Sequence, residues 1–268
     1  MKNILLIILL CCMIYLFTIS NELTETLENS QQIIAMSFGG DSKNYHDAVS
    51  RISNELIETK VFNKVLKYTD EKLKSDFEFW NKHKDFIENN KRGYGYWLWK
   101  SYLIWKTLES MNDNDILFYL DSGCEVVNNH DTRNKLLSIA NNCDKYNILY
   151  TSSGYLEKVW TKMDLFNYMN LMNDTILNSI QHQAGILIIK KTKITLDFVK
   201  DWYNHACNYN LINDKPSIIK NDDSFSENRH DQSVFSLLLK TDKYSTLNTK
   251  NNIIHDLYPI LVSRKRHG

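Results

Sequence analysis

The ten residues I-L-F-Y-L-D-S-G-C-E at positions 116–125 limit what this chain can fold into more than any other stretch. Ile116, Leu117, Phe118, Tyr119 and Leu120 form an apolar, β-branched and aromatic run. It is bounded by the polar 112–115 cluster before it and by Gly123 after it, which predicts a buried central strand. Asp121 then stands at the carboxyl end of that strand. In open α/β sheets ligands bind at the strand ends, where a carboxylate faces a crevice, accepts hydrogen bonds and can hold a divalent cation. An Asp-Ser-Gly sequence is also common turn chemistry, so taken alone Asp121 reads first as the start of a turn.

The rest of the chain alternates strand-like and helix-like segments. Strands are expected at residues 33–38, 60–68, 146–150 and 183–189, with an extended piece in the 258–267 tail. Helices are expected at 45–56, 73–87, 97–110, 131–141, 157–171 and 194–209, and another from the 228–235 stretch through Leu239. Strand and helix in alternation predict an α/β sheet, mostly parallel, with helices on both faces. With 268 residues, 43% of them hydrophobic, the chain can bury one substantial core.

The formal net charge is +0 and no basic stripe is interleaved with aromatics, so nucleic acid is not an expected partner. Residues 4–19 are an unbroken apolar run behind Lys2, of a length between a signal-peptide core and a full membrane span. The sequence therefore divides into a signal-anchor or signal peptide at 1–20, a polar stem at 21–32 and a catalytic domain at 33–268. The expected location is a membrane, as a single-pass type II protein with a lumenal catalytic part; secretion after cleavage is the alternative. Asn173-Asp174-Thr175 is an N-glycosylation sequon, which matters only if this part is lumenal. Cys124, Cys143 and Cys207 are an odd number, compatible with one disulfide and a free thiol but not with a disulfide framework.

Several residues carry candidate chemistry. Gly39 and Gly40 close the first strand in a permissive loop that lets a ligand approach the backbone, although they form neither a dinucleotide fingerprint nor a P-loop. Lys100 sits among Trp97, Trp99, Tyr102 and Trp105 at the head of a helix. A lysine buried there needs an anionic partner, and a diphosphate is one candidate. Asp231 opens a helix, where it serves the macrodipole or a reacting group. Arg264, Lys265, Arg266 and His267 form a basic end that is either solvated or folded over a phosphate.

Taken in order, S-F-G-G, R-G-Y-G-Y-W-L-W-K, Y-L-D-S-G, E-K-V-W-T-K-M-D-L-F, Q-A-G-I-L-I-I and N-R-H-D-Q-S-V-F resemble a group of nucleotide-diphospho-sugar glycosyltransferases of the GT-A type. The resemblance spans nearly everything after the stem. It implies a GT-A-like, Rossmann-related sheet, a nucleotide-sugar donor, a glycan or glycoconjugate acceptor, and Mn²⁺ or Mg²⁺ bound through the first Asp of the motif, here Asp121. The usual Asp-x-Asp is Asp121-Ser122-Gly123, so the second carboxylate is missing. Ser101 stands where the relatives commonly have Pro.

By the same resemblance Ser37, Phe38, Gly39, Trp99, Lys100, Asp121, Ser122 and Gly123 are donor-binding. Gln183, Ala184, Gly185 and Gln232 fall on the acceptor or sugar side. Lys100, Arg264, Arg266 and His267 meet the diphosphate, and Asp121 and Asp231 are the catalytic candidates. An inverting transfer needs a base for the acceptor hydroxyl, for which Asp231 is the candidate, whereas a retaining transfer needs none. Two other readings are a non-catalytic carbohydrate-binding protein on the same sheet and a hydrolase using Asp121 and Asp231 as a carboxylate pair.

Overall fold

A computed structural model describes Tyr15 and residues 31–267. The chain divides into two compact units, Met1–Gln32 and Ile33–Gly268, and the description concerns the second. Apart from Tyr15, the apolar run at 4–19 and nearly all of the stem lie outside the described residues. Among the described residues no helix is long and apolar enough to cross a membrane.

The elements follow in the order β1 (Ile33–Gly39), α1 (Lys43–Glu58), β2 (Lys64–Thr69), α2 (Asp70–Ser75), α3 (Phe77–Asn89), α4 (Leu98–Glu109), β3 (Ile116–Leu120), β4 (Glu125–Val126), α5 (Thr132–Tyr146), β5 (Ile148–Leu156), α6 (Glu157–Trp160), α7 (Met163–Tyr168), α8 (Asp174–Leu177), β6 (Ile180–Lys190), α9 (Lys193–Ala206), α10 (Tyr209–Ile212), α11 (Asp231–Leu239) and β7 (Ile260–Leu261). Five strands form one sheet in the order β2-β1-β3-β6-β5. β1 pairs in parallel with both β2 and β3, while β6 runs antiparallel to β3 and to β5. Four of the five strands therefore share one direction, as the alternating pattern predicts, and β6 alone is reversed.

All five residues of β3 are buried, and the alternation of side chains divides them between two cores. Leu117 and Tyr119 join Met36, Phe38, Leu187 and Ile189 on the face covered by α4, α9 and α11. Ile116, Phe118 and Leu120 join Ala35, Ile186 and Ile188 on the face covered by α1 and α5. Each of these fully buried apolar side chains contributes about 2 kcal/mol of transfer free energy. That two-sided burial makes β3 a stiff base for whatever follows it.

Several boundaries differ from the sequence pattern. α5 continues to Tyr146, so the neighbouring strand begins only at Ile148 and then extends to Leu156. The helix expected over 157–171 is two short ones, because Thr161 takes an extended conformation (φ −134°, ψ 129°) between them. The helix expected over 73–87 is likewise divided at Asp76, whose side chain accepts from Phe79 N and caps α3. Asn173 of the sequon caps α8 by accepting from Ile176 N at 3.0 Å. The three cysteines are all free thiols, so no pair among them is bridged.

Residues 93–97 form a single left-handed turn, with φ of 59°, 53°, 83°, 52° and 60° in succession. Three of these are Tyr94, Tyr96 and Trp97, for which the left-handed conformation costs roughly 1–2 kcal/mol each. Such strain is held by surrounding structure and clusters at functional sites. Here the aromatic rings hold it: Tyr96 and Trp97 both stack on His230, at ring separations of 4.9 and 5.3 Å.

Candidate active site

β1 sits between β2 and β3, and the chain leaves it first to one side and later returns on the other. The carboxyl ends of β1 and β3 thus flank the topological switch point, where open α/β sheets open a crevice for ligands. Asp121 follows β3 at that position. Its side chain continues the Leu117–Tyr119 face, so it points toward α4 and α11 and away from α1.

Three elements remote in sequence bring charges together there. Lys100 of α4 places Nζ 3.1 Å from Asp121 Oδ1 and 3.5 Å from Asp231 Oδ2, and donates to the Ala184 carbonyl at 3.2 Å. The Tyr119 hydroxyl donates to the same Asp121 Oδ1 at 2.5 Å, and its ring lies 5.4 Å from the ammonium. The Asp121 side chain is 41% exposed, while those of Lys100 and Asp231 are 4% exposed. The arrangement is a buried cation joining an open carboxylate to a closed one.

The electrostatics follow from that geometry. Burial works against the Lys100 charge, but Asp121 and Asp231 outweigh it and hold its pKa above the ordinary lysine value. Burial raises the Asp231 carboxyl to about 7; Lys100 opposes that shift and Asp121 adds to it. Asp231 Oδ2 accepts no hydrogen bond among the described residues. Burial first, and then the neighbouring Asp121, push the Tyr119 phenol far up, so it stays a donor.

The backbone around Asp121 is fixed from both sides. Asp121 N donates to Gly185 O at 2.8 Å, joining the end of β3 to β6. A methyl at Gly185 would stand 3.0 Å from Asp121 Oδ2, so the glycine keeps room for that oxygen. Gln232 holds the same strand by accepting from Ala184 N at 3.3 Å and donating to Gln181 Oε1 at 2.7 Å. Gln183 accepts from Thr151 Oγ1 at 2.8 Å.

On the other side lies the carboxyl-terminal tail. β7 pairs with β4, and Gly123 O accepts from Lys265 N at 2.9 Å and from Ser263 Oγ at 3.2 Å. A Cβ at Gly123 would meet Arg264 Cα at 3.4 Å. Arg51 of α1 ties the two segments together: Nη2 donates to the carbonyls of Ser122, Cys124 and Lys265 at 2.9, 3.0 and 3.1 Å, and Nε to that of His267 at 3.2 Å. The side chains of Arg264, Arg266 and His267 are exposed.

Of the residues expected at the site, the structure brings together Lys100, Asp121, Ser122, Gly123, Ala184, Gly185, Asp231 and Gln232, with the backbone of Arg264 and Lys265. Phe38 and Trp99 lie in the core, their rings stacked at 3.9 Å. Ser37 is fully buried and its hydroxyl has no partner among the described residues. The anion expected beside Lys100 is present within the protein, as the two carboxylates. The polar residues of the 157–166 motif also serve the interior: Glu157 is fully buried and accepts from Thr161 at 2.8 Å and Lys240 at 2.5 Å.

Sequence reasoning missed Tyr119, Arg51 and His230. The first was available, since residues two apart on a strand share a face and Tyr119 precedes Asp121 by two. Arg51 carries no such signal, being one of several polar residues on an amphipathic helix. His230 takes a left-handed φ of 57° and donates through Nδ1–H to the Ile212 carbonyl, 2.6 Å away.

The donor set bears directly on the expected Mn²⁺ or Mg²⁺. Among the described residues no group of three or more His, Cys, Asp or Glu side chains gathers as a metal cluster. The two carboxylates that converge already share an ammonium, and the tail backbone packs against position 123. These residues do not fit a divalent ion held by the protein itself.

No protein-family model and no curated protein matches this sequence. Among solved structures the chain is similar to a glycosyltransferase involved in the glycosylation of the major capsid of PBCV-1, at 15% identity and a TM-score of 0.35. The overlap covers 65% of this chain and 65% of that one, so less than two thirds of the other protein's length is spanned. It is also similar to the apo form of mouse xyloside xylosyltransferase 1, at 9% identity and a TM-score of 0.42, over 80% of this chain and 83% of that one. Neither overlap is close enough to carry an argument about activity, which rests on the side chains.

Proposed function

We propose that this chain is a nucleotide-sugar-dependent glycosyltransferase, moving a sugar from a nucleoside-diphosphate donor to a hydroxyl of a glycan or glycoconjugate. The observation that carries the reading is the convergence of Lys100, Asp121 and Asp231 at the carboxyl end of β3, beside the switch point between β1 and β3. Crevices in that position of an open α/β sheet take nucleotides.

In such a transfer the bond between the anomeric carbon and the diphosphate oxygen breaks, and its electron pair leaves with the phosphate. The acceptor oxygen bonds to that carbon and gives up its proton. Negative charge grows on the departing diphosphate, and fixed cations stabilise it without reorganising. Lys100, held charged by its two carboxylates, and the exposed Arg264 and Arg266 supply positive charge near the Asp121 loop.

Asp121, with Oδ2 outside the Tyr119 and Lys100 contacts, suits a hydroxyl of the bound sugar. In an inverting reaction Asp231 would take the acceptor proton, and a carboxyl raised to about 7 has the proton affinity for that task near neutrality. Tyr155 is exposed and stacks on Trp160 at 4.1 Å, with the Arg229 guanidinium 3.9 Å from the same indole. That aromatic surface, joined through Arg229 N and Trp160 O to the segment before Asp231, would serve the acceptor. The 4–19 run would hold the enzyme on a membrane with its catalytic part lumenal.

The test is release of free nucleotide from a panel of sugar nucleotides by the full chain, with and without glycan acceptors. Turnover of one donor is expected, with a drop of roughly 10²–10³-fold in Asp121→Asn. Undiminished turnover in that variant, or glycan binding with no affinity for any nucleotide, would remove the proposal.

A further inference from the structure

We infer that Lys100 takes the place of the divalent cation at Asp121, so that this chain binds its nucleoside diphosphate without metal. The inference rests on the transferase reading and specifies how the donor's charge is met.

Two independent features point the same way. The first is beneath Asp121: Nζ lies 3.1 Å from Asp121 Oδ1 and 3.5 Å from Asp231 Oδ2, which is where a cation shared by two carboxylates would stand. The ammonium is held there by a third acceptor, the Ala184 carbonyl, and by the Tyr119 ring. Expelling it would leave a lysine buried without a partner, and that costs more than an exposed lysine would.

The second feature is at position 123. In an Asp-x-Asp motif a second carboxylate would project from this residue, but here the tail crosses it, with Arg264 Cα 3.4 Å and Lys265 N 3.8 Å from where a Cβ would be. Those are ordinary van der Waals distances, so position 123 is lined by main chain that carries two cationic side chains. Lys265 reaches Glu125 at 3.0 Å, whereas the Arg264 side chain is exposed. Arg51 then fixes the tail through carbonyls on both segments. A permanent cation below the first carboxylate, with the basic tail running past position 123, supplies charge that a bound ion would bring.

The inference differs from ordinary electrostatic support in a measurable way, because Asp121 and Asp231 should become metal ligands only when Lys100 is gone. UDP and GDP are titrated into the full chain by calorimetry, in EDTA and again in millimolar Mn²⁺. The tighter of the two is expected to change its Kd by less than twofold between the conditions. Tightening of tenfold or more in Mn²⁺ overturns the inference.

In parallel Mn²⁺ alone is titrated into the nucleotide-free protein and followed by its electron paramagnetic resonance signal. The unaltered chain is expected to bind no Mn²⁺ at micromolar concentration, and Lys100→Met to gain at least a tenfold stronger site that Asp121→Asn abolishes. Micromolar Mn²⁺ binding by the unaltered chain, lost in Asp121→Asn, also overturns it. If Lys100→Met does not fold, the calorimetric comparison and the titration of the unaltered chain still decide. If neither diphosphate binds in either condition, the transferase reading falls, while the Mn²⁺ titration continues to report on the cation position by itself.

Discussion

At the scale of single residues the site depends on which groups stand near Asp121. Its Oδ1 is committed to Tyr119 and Lys100, and its Oδ2 is kept free by the absence of a side chain at Gly185. Gly185→Ala would bring a methyl to 3.0 Å from that oxygen. The carboxylate is exposed enough to swing aside, so the fold is expected to survive with a stability change of about 1 kcal/mol or less. Donor turnover should nevertheless fall by at least about tenfold, since a misplaced group costs rate rather than stability. Equal turnover in the alanine variant, at an equal melting temperature, would show that Oδ2 is not used. Some of this was legible beforehand. Asp121 and Lys100 stood out because a carboxylate at a strand end and a lysine among tryptophans both demand an explanation. That each would explain the other was not legible, because 21 positions of sequence say nothing about which helix turn faces which strand end.

At the scale of elements the least expected device is the seam between α1, the 121–126 segment and the tail. The sequence marks the tail as extended and basic, which it is, but no local pattern reveals that one arginine in the preceding α1 donates to four main-chain carbonyls. Hydrogen bonds from a charged donor contribute about 1.5–3 kcal/mol each when they are buried, and less when shared by one group. Arg51→Ala should therefore lower stability by about 2–3 kcal/mol. It should also raise amide exchange in residues 260–267 and 122–126 well before the sheet itself opens, which hydrogen-exchange mass spectrometry would register. Unchanged exchange in both segments would mean that the β4–β7 pairing alone holds the tail. The left-handed turn at 93–97 illustrates the same limit on reading. Two glycines announce a permissive loop, but the aromatic residues between and after them adopt that backbone only because His230, over a hundred residues later, fills the space between their rings.

At the scale of the whole molecule, buried titratable groups set how the fold answers to acid. Burial lowers His83 to about 4, His182 to about 3 and His230 to about 4. Each is neutral when folded and takes a proton on unfolding, so its contribution is present above the unfolded value of 6.5 and is lost as pH falls toward the folded value. Asp231 acts in the opposite sense: with its folded value raised to about 7, it favours the folded state at low pH and loses that contribution as pH rises from 3.8 through about 7. These three imidazoles against the one carboxyl leave a net uptake of about two protons on unfolding near pH 5, or about 2–3 kcal/mol of stability lost per pH unit. A melting temperature that stays flat between about pH 6 and pH 4.5 would contradict this balance. The α/β class, with its mostly parallel sheet, followed from alternation of strand and helix patterns and holds in the structure. The reversal of β6 did not follow, because an apolar run such as Ile186–Ile189 reads the same in either direction.

That reversal has a consequence for how the site tolerates change. A strand running with its neighbours would bring only the loop after it to the Asp121 end of the sheet, and loops absorb inserted residues easily. Because β6 travels the other way, residues 183–185 reach the Asp121 end of the sheet as strand, just before Ile186 pairs with Leu120. Losing one residue at 183–185 would set Ala184 or Ile186 where Gly185 now leaves room for the Asp121 carboxylate. Length variation should be purged from that short stretch more strictly than composition is.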